Sequence, residues 1–87
     1  MLDLFIISLN NYFKKNHKNY VAKEYISFDE LDAIGIYYCD DFCRPILVVR
    51  KGNYIDEIMF YTFEEISSCF FDEIKNVMIK TQEEIYG

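Results

Sequence analysis

PILVVRKGNYIDEIMFY, residues Pro45 to Tyr61, decides the fold. Two β-rich runs, Pro45–Arg50 and Tyr54–Tyr61, lie either side of Lys51-Gly52-Asn53. Glycine at the first central position of so short a connection fits a type II′ hairpin, which joins antiparallel strands. Proline is tolerated at a strand's first residue, so Pro45 does not disqualify the first run. Upstream, Ala33-Ile34-Gly35-Ile36-Tyr37-Tyr38 is a third β-rich run, with Gly35 as a candidate bulge. Three such runs in this order predict an antiparallel meander.

Helical periodicity brackets the meander. Leu2, Ile6, Leu9 and Phe13 recur at helical spacing, and lysines near Asn16 suit the negative pole of the helix they predict. After the strands, Thr62-Phe63-Glu64-Glu65 has capping-box form. Ile66, Phe70, Ile74, Val77, Thr81 and Ile85 follow at steps of three and four, predicting a long amphipathic helix, with Asn76 as a candidate break. Residues 18–32 fit either a strand through Tyr20, Ala22 and Tyr25 to Phe28 or a helical turn opened by Ser27-Phe28-Asp29-Glu30. The expected fold is therefore α+β: helix, three-stranded antiparallel sheet, helix (αβββα), both helices on one sheet face. It forms a single domain, residues 1–87, because a second core does not fit in this length.

A domain this small hides roughly 60–65% of its unfolded surface, and eight Phe and eight Tyr help it do so without staples. Twelve Ile against two Ala is the usage of an AT-rich genome and points to a low-GC bacterium, its phage or a plasmid. The N-terminal apolar stretch fails as a signal peptide, since Asp3 stands where a positive region belongs. No apolar run is long enough to span a bilayer. The expectation is a soluble protein of the bacterial host cytoplasm.

The net charge of −6 is unevenly spread: +3 over residues 1–23, −5 over 24–49 and −4 over 50–87. Such a surface repels phosphate backbones, which argues against direct nucleic-acid binding. It steers basic partners toward itself.

Tyr37–Pro45, YYCDDFCRP, holds the residues that most invite a chemical reading. A Cys3His zinc site would need Cys39, Cys43, Cys69 and His17, every Cys and His in the chain, and only one close pair is present. Cys69 stands beside Phe70 and Phe71, where a buried small hydrophobe is the ordinary role. A redox pair spaces its cysteines by two residues, not three, and gains nothing from neighbouring aspartates. His17 lies in the basic cluster KKNHK, away from any nucleophile, and there is no glycine-rich phosphate loop. Neither enzyme, metal nor cofactor is expected.

The acids carry more. Glu64-Glu65 suits a helix's first turn, and Asp72-Glu73 a solvated face. Glu83-Glu84 opposes the dipole at a helix end, and Asp56-Glu57 interrupts an apolar strand. Exposed tyrosine beside carboxylate is favourable interface material. The candidate contacts are Asp40, Asp41, Asp56 and Glu57, with Tyr37, Tyr38 and Tyr54 as anchors. In size, acidity and inferred layout the chain resembles small anti-CRISPR and anti-restriction proteins that occupy a DNA-binding cleft. The likeness implies a phage or mobile-element inhibitor of a bacterial nucleic-acid-handling defence system, acting on a basic protein, and assigns no role to any residue. An immunity protein or antitoxin against a basic toxin is the alternative, as is a subunit that self-assembles through its apolar first helix.

Overall fold

The computed structural model describes residues 2–25, 33–51 and 58–86. Its elements run α1 (Leu2–Lys15), β1 (Tyr20–Glu24), β2 (Ala33–Tyr38), β3 (Leu47–Lys51), β4 (Ile58–Thr62) and α2 (Ser68–Tyr86). The strands form one antiparallel sheet in the order β1-β2-β3-β4. The meander between two helices is as expected, with one strand more: residues 20–24, open between strand and helix in sequence, pair with β2.

Register fixes which side chains meet the helices. Ala22, Ile36 and Leu47 lie in line across the first three strands, as do Ile34, Val49 and Phe60 across the last three. Alternation sends both rows to one face. They bury there against Phe5, Leu9 and Phe13 of α1 and Phe70, Ile74 and Met78 of α2, so both helices cover the same side. Phe70 bridges the layers, with its ring 4.8 Å from that of Tyr20 and 6.3 Å from that of Phe13.

Several local expectations change. Gly35 makes no bulge, because Lys23, Gly35 and Val48 stay in register. Its lack of a side chain lets the Tyr37 ring lie across it; a Cβ there would sit 2.7 Å from Tyr37 Cε2. The capping box at Thr62 does not form, since Thr62 pairs with Leu47 as the last residue of β4 and the helix opens only at Ser68. Ile66 is thus in the connection, still half-buried against the core. Helix α2 continues through Asn76 without a break. Met78, absent from the expected stripe, is fully buried, and Thr81 is accommodated inside because its hydroxyl donates to the Val77 carbonyl at 2.8 Å. Cys69 is exposed rather than buried, because Phe70 occupies the inward position. The Gly52-Asn53 turn and the Ser27–Glu30 turn lie outside the described residues.

The first helix ends in a Schellman motif. Lys18 N–H donates to the Phe13 carbonyl at 2.8 Å and His17 N–H to that of Lys14 at 3.3 Å, with His17 at φ 55°. The reversal feeds the chain into β1, where Asn10 meets it. The Asn10 side chain accepts from Ala22 N–H at 2.7 Å and donates to the Ala22 carbonyl at 3.0 Å. One side-chain amide therefore stands in for a fifth strand along the outer edge of β1.

Candidate partner-binding surface

The β2–β3 connection leaves the sheet at Tyr38 and turns at once. Cys39 and Asp40 form the turn, Asp41 N–H returns to the Tyr38 carbonyl at 3.2 Å, and the Asp41 carboxylate accepts from Cys43 N–H at 3.0 Å. A short acidic side chain that folds back on the backbone two residues on is the ordinary way aspartate stabilises such a turn. Asp40 and Asp41 are consequently held on a defined loop, both exposed.

Tyr38 links this loop to a second acidic segment. Its ring packs on Tyr20 with centroids 5.7 Å apart, and its hydroxyl donates to Glu64 at 2.9 Å. The hydrogen bond to Glu64 raises the Tyr38 phenol above its ordinary value, helped by the negative charge of that carboxylate. Glu64-Glu65 therefore belongs to the β4–α2 connection and not to a helix's first turn, and it shares a neighbourhood with Asp41 through Tyr38. Sequence spacing gives no hint of this, because the bond spans 26 positions. Arg44, in the same loop, stands 5.9 Å from the Phe63 ring. The α1–β1 turn, which carries Lys18, abuts the loop where Cys39 N–H donates to the Asn19 carbonyl at 3.2 Å.

The other expected residues are placed differently. Tyr37 points to the opposite sheet face and is buried, its ring meeting Phe42 edge-on at 6.1 Å. Burial raises its phenol, with Tyr25 adding to the effect. Tyr54, Asp56 and Glu57 lie outside the described residues. The face that carries Tyr37 has a character of its own: Lys23 sits 3.7 Å over the Phe42 ring, Arg50 5.5 Å from that of Tyr61, and Met59 and Tyr61 are 49% and 45% exposed.

Cys39, Cys43 and Cys69 are free and exposed. Among the described residues no three His, Cys, Asp or Glu side chains converge as a metal ion requires. No helix among them is long and apolar enough to cross a membrane. No family model, no curated protein and no solved structure matches the chain.

Proposed function

We propose that this chain is a non-enzymatic binding protein that occupies a basic site on another macromolecule, and that its carboxylates around Tyr38 make the contact. The reading rests on one observation: Tyr38 bonds to Asp41 through its backbone and to Glu64 through its hydroxyl, so Asp40-Asp41 and Glu64-Glu65 share one end of the sheet. Carboxylates on a folded scaffold meet a cationic receptor without the ordering cost of a flexible acidic tail. The partner class we favour is a nucleic-acid-handling enzyme or effector of a bacterial defence system, for which a phage or mobile element would encode the antagonist.

The test is capture from a bacterial lysate, with elution by salt and by oligonucleotide and with D40K/E65K as the variant, which leaves the Asp41 bond to Cys43 N–H in place. The expected result is one basic nucleic-acid-binding protein, released by either eluent and not retained by the variant, whose circular dichroism is unchanged. Equal retention by the charge-reversed chain sinks the proposal.

A second reading has an observation behind it. On α1, Leu4 and Ile7 are 47% and 54% exposed, one turn apart on the face turned from the core. This favours self-assembly through that helix, and light scattering over a concentration series distinguishes it from a monomeric inhibitor.

A further inference from the structure

The sheet has two outer edges, and the fold treats them differently. The β1 edge is shut: Asn10 satisfies both backbone groups of Ala22, and α1 packs alongside. Among the described residues β4, the other outer strand, carries no such plug. Its sequence, Ile58-Met59-Phe60-Tyr61-Thr62, also lacks the charge, proline or glycine that usually blunts an edge.

Hydrogen bonding shows which groups the edge offers. Phe63 N–H turns inward to the Ile46 carbonyl at 3.0 Å. With Met59 and Tyr61 opposite Arg50 and Val48, alternation along the antiparallel ladder turns their backbone groups inward as well. The N–H and C=O groups of Ile58, Phe60 and Thr62 then point away from the sheet. That set is symmetric about Phe60. A second copy of β4, laid antiparallel on a two-fold axis through Phe60, sets Phe60 against Phe60 and Ile58 against Thr62. Every outward donor then meets an outward acceptor.

The side chains match under the same symmetry. On the helix face Phe60 continues the row of Ile34 and Val49 and lies 5.0 Å from the Phe71 ring, and pairing carries that row into the other copy. On the opposite face Met59 and Tyr61 stand exposed in a single copy, and in the pair Met59 of one copy faces Tyr61 of the other. Thioether against ring, and ring beside ring, are favourable cross-strand neighbours. No charged residue opposes another within the paired strands. The register sets Arg50 and Lys51 beside Met59 and Ile58, where they oppose a strand bearing lysine or arginine. A second copy brings its Thr62 to that end, from which its chain runs on into Glu64-Glu65. We propose that two copies of this chain pair β4 to β4 about a two-fold axis, so that one antiparallel sheet runs through both. Such a contact uses each copy's edge once and closes at a dimer. It does not depend on the basic-partner reading, and it uses a different surface from the exposed side of α1.

The experiment is sedimentation equilibrium of the intact chain over a concentration series, with amide exchange measured at its low and high ends. The expected result is a monomer–dimer equilibrium, with exchange slowing at Ile58, Phe60 and Thr62 as the dimer fills. Thr62 N–H faces outward, so Thr62→Pro removes an edge donor and sets a ring in the other copy's path without touching the ladder to β3. It should raise the dimer dissociation constant about tenfold or more, while Thr62→Val leaves it little changed. Leu4→Lys combined with Ile7→Lys, on the exposed side of α1, should also leave it little changed. A chain that stays monomeric at every concentration overturns the pairing. So does a dimer indifferent to Thr62→Pro, or one lost when Leu4 and Ile7 are replaced, which would move the contact to α1. Exchange that slows with concentration at other amides and not at Ile58, Phe60 and Thr62 overturns it even where Thr62→Pro fails to fold.

Discussion

His17 holds the left-handed position that closes α1, a conformation that costs a residue with a Cβ and costs glycine little. His17 is exposed, and the bonds that accompany its conformation are made by the backbone, which glycine also has. His17→Gly should stabilise the fold by about 0.5–1 kcal/mol, read as a melting temperature higher by a few degrees. An unchanged or lower melting temperature would show that the reversal does not control the helix end. At this scale the candidate surface was half legible. Asp40 and Asp41 stand out in any reading because their doublet lies between two β-rich runs. The role of Glu64 does not, because it depends on Tyr38 reaching across from a different strand. Tyr37 and Tyr38 look alike in sequence, yet alternation sends one ring over Gly35 and the other toward Tyr20 and Glu64.

Among the elements, the best-defined are those whose own residues settle the matter. Ala33–Tyr38 has four residues of six that favour a sheet, Ile34, Ile36, Tyr37 and Tyr38, and no rival period, and its predicted bounds match those of β2. Tyr20–Glu24 is only five residues long and owes its place to partners: β2 on one side, the Asn10 amide on the other. No local pattern encodes an amide from twelve positions upstream. The Thr62 capping box failed for a related reason, since pairing with Leu47 claims Thr62 for the sheet before a helix can use it. Asn10→Ala tests how much the amide matters. It leaves one donor and one acceptor of Ala22 without partners, which should cost about 1–3 kcal/mol, measured as a lower urea midpoint. Light scattering of the same variant should rise with concentration as the uncovered edge finds other strands. A variant as stable and as monodisperse as the parent would refute the role given to Asn10.

For the molecule as a whole, the tyrosines tie stability to pH. Burial raises the Tyr12 phenol, and Glu73 adds both its charge and a hydrogen bond. Tyr37 is raised by burial first and Tyr38 by its bond to Glu64 first. Each holds its proton in the folded state at a pH where the unfolded chain begins to release it. Their contribution is therefore complete below the ordinary phenol value of about 10 and is lost as pH rises through the folded values. Urea midpoints should hold steady through neutral pH and fall on the alkaline side, with Tyr38→Phe flattening part of that fall. A midpoint indifferent to alkali would contradict these placements. The plugged edge beside Ala22 has one last consequence. With the Asn10 amide across it, the β1 side cannot pass strand pairing on to a neighbour, so endless stacking of sheets, which needs both sides free, is stopped on that side.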